Sequence, residues 1–193
     1  LAIRGVGGQG NLFFGKVLAQ VAFLAGYDDR NILKGETHGM AQMGGPVIST
    51  FGCGEVFSPA LVPGTANVLI AMEKAEVLRP GFLDLLEPGG TVLMADTRIL
   101  PHGLKPEAYP SDEAIAAQLE GYRVVSVDVL SIALNLGDPK GRCANVAMLG
   151  VLSTLPPFDV VPEAVWLQAL RGISRKSALW DLNHAAFMAG RGM

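Results

Sequence analysis

The sequence predicts a three-layer α/β fold with a mostly parallel sheet, a β-hairpin insertion and a helical C-terminus. Three observations carry that prediction. A short apolar run, residues 1–4, enters the glycine-rich bend Gly5-Val6-Gly7-Gly8-Gln9-Gly10, which opens onto an apolar-periodic run over 11–25. Two continuous apolar runs, 67–72 and 91–95, flank a segment of helical period, the rhythm of a crossover unit between buried parallel strands. From residue 129 onward the pattern is helical.

Taken in order, the bend at 5–10 has G-x-G-x-x-G spacing and stands between a strand and a helix, the context in which that pattern cradles phosphate. In this reading Gly5 permits the turn, Gly7 lets a ligand or neighbouring backbone approach, and Gly10 lets the helix lie on the sheet. The N–H groups opening the helix favour a phosphate or carboxylate. The same loop also serves as a tight connection that binds nothing, and spacing alone leaves both readings open. Leu12, Val17, Leu18, Val21, Ala22 and Leu24 mark the buried face of the first helix, and Gly26 ends it. Residues 31–35 read as a second strand. The stretch 36–45 is polar, glycine-punctuated and aperiodic. Residues 46–51 read as a strand that Gly52-Cys53-Gly54 turns back into a short partner at 55–57.

Residues 73–86 read as a helix broken at Arg79-Pro80-Gly81. Ser111 caps a helix whose first turn holds Asp112 and Glu113, and 122–128 forms a further strand. Helices over 129–136 and 144–155 surround a Gly-Asp-Pro-Lys-Gly loop. Another begins near Pro162 and ends at Gly172, and a last one spans about 174–188. At 193 residues the expectation is one domain, 1–193, with its helical part over 129–193.

Half of the residues are hydrophobic and 17% are charged, below the roughly 25% usual in soluble domains. That surplus points to burial against a partner, with a well-filled core as the alternative. A net charge of −3 without a basic cluster argues against nucleic acid as ligand. No apolar stretch approaches the ~18 residues of a membrane span. Two distant cysteines, Cys53 and Cys143, cannot supply a four-thiolate cluster. Free thiols and no secretory leader pattern make a cytoplasmic protein the expectation.

Candidate chemistry is sparse. A dinucleotide site wants an acid at the end of the second strand, but Lys34 lies there and Asp28, Asp29 and Glu36 are out of place. No G-x-S-x-G elbow occurs, and His38, His102 and His184 lack an i, i+4 partner. His38 and Gln42 stand out only by lying inside the glycine-punctuated stretch, where loop-fixing hydrogen bonds are the alternative role. Glu73 and Glu76 are expected on a solvated helix face beside Lys74. Cys143, next to Arg142, is either a slightly activated or a buried structural thiol. Met40, Met43 and Met72 suit an adaptable interface or plain core packing.

The loop at 5–10, followed by His38-Gly39-Met40-Ala41-Gln42 and Gly44-Gly45, resembles the gamma subunit or domain of 2-oxoacid:ferredoxin oxidoreductases, particularly the indolepyruvate branch. Further landmarks are Ser58-Pro59, residues 67–72, Glu87-Pro88-Gly89-Gly90 and residues 145–150. The resemblance implies one component of an enzyme that oxidatively decarboxylates a 2-oxoacid, such as indolepyruvate or pyruvate, to an acyl-coenzyme A. Thiamine diphosphate, Mg and 4Fe-4S clusters are then expected on large partner subunits, with ferredoxin an indirect partner. This chain is expected to carry no metal or catalytic residue, to contact coenzyme A, to be inactive alone, and to form a homodimer when isolated. Carried over by position, Gly7, Gly8, Gln9 and Gly10 form one cofactor-binding loop. His38, Gly39, Gln42, Gly44 and Gly45 form a second motif on the same sheet edge. Relatives commonly place Arg before the double glycine where this chain has Met43, which leaves Lys34 or a partner residue to supply a cation. Two other readings stand beside this one: a stand-alone Rossmann-like nucleotide-binding protein, and a purely structural assembly subunit.

Overall fold

A strand that is apolar at every position needs cover on both faces, and the central strands of this sheet have it. The structure, a computed structural model, describes residues 1–36, 45–100, 105–174 and 177–193. In β4 (Ala66–Ala71), Val68 and Ile70 enter one core while Leu69 and Ala71 enter another. In β5 (Leu86–Ala95), Leu93 and Ala95 face the first core, and Val92 and Met94 the second. Side chains alternate across a pleated sheet, so the unbroken hydrophobic runs record two buried faces rather than one.

With β1 (Ala2–Val6), β2 (Ile32–Glu36), β3 (Pro46–Cys53) and β6 (Arg123–Val127), the described residues form a six-stranded sheet of order β2-β3-β1-β4-β5-β6. The pairs β1–β4, β4–β5 and β5–β6 are parallel, whereas β3 is antiparallel to both β1 and β2. Only β3 runs against the other five.

One face carries the thick helical layer: α1 (Asn11–Leu24), α3 (Val129–Asn135), α4 (Ala144–Leu152), α5 (Glu163–Ile173) and α6 (Ser177–Arg191). In α4 every residue from Val146 to Leu152 is buried, as expected of a helix surrounded on all sides. It meets α6 at two glycines: a Cβ on Gly150 would overlap the Phe187 carbonyl, and one on Gly190 the Ala147 carbonyl. Trp166 of α5, fully buried, packs between Phe158 and Phe187. The other face is covered by α2 (Asp112–Gln118) and short 3-10 turns that contribute Val77, Phe82 and Leu83. Ser111 caps α2 as expected, its hydroxyl accepting the Ala114 N–H at 3.2 Å.

Several expectations are corrected. The antiparallel insertion exists, but β3 pairs with β2 and β1; residues 55–57 form no strand, and β3 extends through Cys53. The stretch 73–86 is not an α-helix but two 3-10 turns, Lys74–Leu78 and Leu83–Leu85. Proline and glycine at 80 and 81 stop helical propagation, and the Glu73 carboxylate caps the Ala75 N–H at 3.0 Å. Gly172 does not end α5, which continues to Ile173. Gly5 lies inside β1, and the helix-packing role given to Gly10 belongs to another contact described below.

Candidate functional site

The C-terminal ends of β1, β4, β5 and β6 fall on one sheet edge, and the segments that follow them line a single cleft of about 590 Å³. Val6, Gly7, Gly8 and Gln9 come from β1, Met72 from β4, and Thr97, Ile99 and Leu100 from β5. Val129 and Leu130 follow β6, and Lys140, Gly141, Arg142, Ala144 and Asn145 close the far side. The chain leaves β1 toward β2 and β3 on one side, while β4, β5 and β6 extend the sheet on the other. The cleft therefore opens at the switch point where α/β proteins receive ligands.

Gln9 builds the glycine loop from within. Its side-chain oxygen accepts the Val6 N–H at 2.7 Å, and its amide donates to the Met72 carbonyl at 2.6 Å. That fold-back explains Gly5, where a Cβ would come within 2.8 Å of Gln9 Oε1 and 2.9 Å of Met72 Cβ. Gly10 is left-handed, with φ 86° and ψ 27°, and a Cβ there would overlap the Asn145 side-chain amide. Its lack of a side chain thus brings α4, not the sheet, against the loop.

The Gly7 N–H donates to the Gly45 carbonyl at 2.8 Å, so the end of the second motif meets the first. The N–H groups of Gly8 and Gly10 make no hydrogen bond among the described residues. His38, Gly39, Gln42 and Gly44, and with them Met40, Met43 and His102, lie outside the described residues. Lys34, considered as a substitute cation, sits on β2 and pairs with Glu36 at 3.6 Å. It lines a separate surface groove with Lys16 and Phe23.

Facing the glycine loop is a cationic turn that sequence reasoning treated only as a helix connector. Asp138, almost fully buried, accepts the Cys143 N–H at 2.9 Å and Arg142 Nε at 3.2 Å. Burial alone would raise its carboxyl, yet these donors hold it below the usual range. Asp138 thereby orders the 138–143 turn that places Lys140 and Arg142 on the cleft wall. Lys140 has no ion-pair partner among the described residues. Two buried acceptors also lack partners: Thr97 Oγ1 and Asn145 Oδ1. The legible signal was a Lys and an Arg bracketed by Gly137, Gly141 and the start of an apolar helix. Cys143 itself is an inert thiol, pushed up to about 11 by burial and by the neighbouring Asp138 carboxylate.

Glu73 and Glu76 are not on a solvated face; they are 2% and 3% exposed. Glu76 is held by Arg79 at 2.9 Å and lies 3.6 Å from Arg4. Glu73 accepts from the Tyr109 hydroxyl and from the Ile99 and Ala75 N–H groups. Met72 is core, and His184 stacks beside Trp180. Lys74 is itself largely covered and pairs with two exposed acids, Asp96 at 3.1 Å and Asp112 at 2.7 Å.

A glycine turn that faces two cations across a cleft at the ends of parallel strands defines a three-layer, mostly parallel α/β protein. The Rossmann arrangement is absent on one count: the neighbour of β1 on the β2 side is antiparallel β3, so no acidic residue at a parallel strand end can reach a ribose there. A family model described as pyruvate ferredoxin/flavodoxin oxidoreductase matches residues 1–193, and the chain belongs to that family. It is 33% identical to the indolepyruvate oxidoreductase subunit IorB of Archaeoglobus fulgidus, over 98% of this chain and 92% of that protein. Pyruvate oxidoreductase subunit PORC of Thermotoga maritima has the same fold, with a TM-score of 0.68 at 20% identity, covering 100% of this chain and 95% of that one. The 2-oxoglutarate:ferredoxin oxidoreductase of Magnetococcus marinus, solved with 2-oxoglutarate, coenzyme A and succinyl-CoA bound, matches with a TM-score of 0.69 at 18% identity. That match covers 99% of this chain and 30% of the other. Among the described residues no helix is long and apolar enough to cross a membrane.

Proposed function

We propose that this chain is the gamma-type subunit of a 2-oxoacid:ferredoxin oxidoreductase and that its glycine cleft receives the phosphate-bearing part of coenzyme A. The observation that carries this reading is the placement of Gly8, whose N–H makes no hydrogen bond among the described residues, across one cleft from Lys140 and Arg142. Backbone donors at a helix start and cationic side chains are the two groups that phosphates select. Gln9 shapes the loop, and Gly7 closes it on Gly45.

Thiamine diphosphate with Mg, held by a large partner subunit, would supply the decarboxylation chemistry, and 4Fe-4S clusters there would supply the electron path to ferredoxin. This chain's residues bind and orient the acyl acceptor and exclude water from its approach. Family membership and the IorB relative support indolepyruvate as the oxoacid, with pyruvate as the comparison substrate.

The test is co-expression with the large subunit and assay of indolepyruvate and pyruvate oxidation with varied coenzyme A. Activity is expected only with both chains. Lys140→Ala is expected to raise the KM for coenzyme A about tenfold with kcat little changed, the mark of uniform binding. Turnover by the isolated chain, tight NADH binding, or an unchanged KM would refute the proposal.

A further inference from the structure

We propose that Glu73 is a positioning residue of this cleft: with Tyr109 it forms a buried strut that fixes the wall made by residues 97–100. The inference rests on the cleft being the coenzyme A site, but its central claim concerns this chain alone.

β5 ends at Ala95, and although the Asp96 N–H still donates to the Val127 carbonyl of β6 at 2.8 Å, residues 97–100 pair with no strand among the described residues. Thr97, Ile99 and Leu100 from this segment nevertheless form one side of the glycine cleft. What fixes them comes from the turn after β4. The Lys74 N–H donates to the Thr97 carbonyl at 3.0 Å, and the Glu73 carboxylate accepts the Ile99 N–H at 3.4 Å. The same carboxylate oxygen accepts the Tyr109 hydroxyl. Tyr109 is clamped in turn, with the Arg98 guanidinium 4.6 Å above its ring and that guanidinium 3.6 Å from Asp112.

On the far side of Ile99 lies a second cavity of about 290 Å³, lined by Glu73, Tyr109, Arg79 and Pro110 among others. Val6 and Ile99 line both spaces. A wall with a void behind it has no packing to stop it falling back. The strut therefore supplies what packing does not. A route to the glycine loop is also continuous: Met72, whose carbonyl receives the Gln9 amide, directly precedes Glu73. Burial and proximity to Glu76 raise the Glu73 carboxyl, against its three hydrogen bonds, consistent with a group retained for position rather than for charge.

The experiment uses the full chain with its large partner subunit, and reads amide hydrogen exchange at residues 97–100 together with coenzyme A affinity. Glu73→Ala is expected to speed exchange of these amides at least tenfold and to weaken coenzyme A binding at least tenfold. Glu73→Gln, which keeps an acceptor for Tyr109 and Ile99, is expected to stay within threefold of the parent on both. Trp166→Phe, a core change in the helical layer, controls for lost stability and should move neither readout. Should Glu73→Ala not fold, Tyr109→Phe removes only the hydroxyl donor and is expected to shift both readouts three- to tenfold. Unchanged exchange at 97–100 in the variant that folds overturns the strut. If the parent complex does not bind coenzyme A, the proposed ligand is wrong, and the exchange measurement alone still decides the strut.

Discussion

Replacing Gly10 by alanine separates backbone strain from crowding in the glycine loop. The residue sits at φ 86°, ψ 27°, and its added Cβ would overlap the Asn145 side-chain amide. Left-handed backbone costs an L-residue about 1–2 kcal/mol, and an extra methyl in a filled contact typically costs about 1–3 kcal/mol. Gly10→Ala should therefore destabilise by about 2–5 kcal/mol if the two costs add. Gly8 is the internal control, because its φ is also positive, 103°, but its Cβ would meet nothing within 4 Å. Gly8→Ala should carry only the backbone cost, about 1–2 kcal/mol. The steric share is recoverable: Asn145→Ala in the Gly10→Ala background removes the clashing amide. A double-mutant cycle should then give a coupling of about 1–2 kcal/mol, within the range for residues in contact. Urea denaturation of the parent, Gly8→Ala, Gly10→Ala, Asn145→Ala and the Gly10→Ala/Asn145→Ala double variant reads all of this. Equal costs for Gly8→Ala and Gly10→Ala, with no coupling to Asn145, would refute the assignment of Gly10 to the α1–α4 contact.

Three further outcomes are expected. Gly190→Ala drives a methyl into the Ala147 carbonyl at the α4–α6 crossing and should cost at least about 3 kcal/mol, since neither backbone yields easily; a thermal midpoint within a degree or two of the parent would count against that packing. Burial raises the Glu73 carboxyl above its ordinary 4.5, with Glu76 adding to the rise, while Tyr109 and the Ile99 and Ala75 N–H groups oppose it. Its contribution to stability is full below pH 4.5 and is lost as pH rises through the raised value. The stability difference between parent and Glu73→Gln should accordingly shift against the parent from pH 4 to about 7, and the opposite trend would show the carboxylate to be favoured by the fold. Cys143, with its thiol pushed up to about 11, should resist iodoacetamide at pH 8 while the protein is folded and react on unfolding. Rapid labelling of Cys143 in the native protein at that pH, resolved from the half-buried Cys53 by peptide mass, would contradict its burial.

The strand–glycine–helix opening was legible because strand, turn and helix are contiguous and each is set by local preferences. The two buried strands and the Ser111 cap were legible for the same reason. Residues 73–86 misled because apolar spacing there has a helical period, while Pro80 and the side chain of Glu73 impose 3-10 turns. The two glutamates were assigned to solvent on the strength of that imagined helix. The place of Lys140 and Arg142 on the cleft wall was not legible because no local pattern says which strand ends a connector will face. Gly45 is the exception within the second motif, since its carbonyl meets Gly7.

By itself, the order of residues determined the α/β class, the glycine turn and the buried character of the central strands. These follow from periodicity and backbone freedom within a few neighbouring positions. Only the tertiary structure decided that β3 runs against its neighbours, that Gly10 serves α4, and that Asp138 presents two cations to the glycine loop. Each of those is a meeting of segments far apart in the chain. Such meetings are set by how sheet order and helix packing share the burial of apolar surface, a choice that no short window of sequence contains.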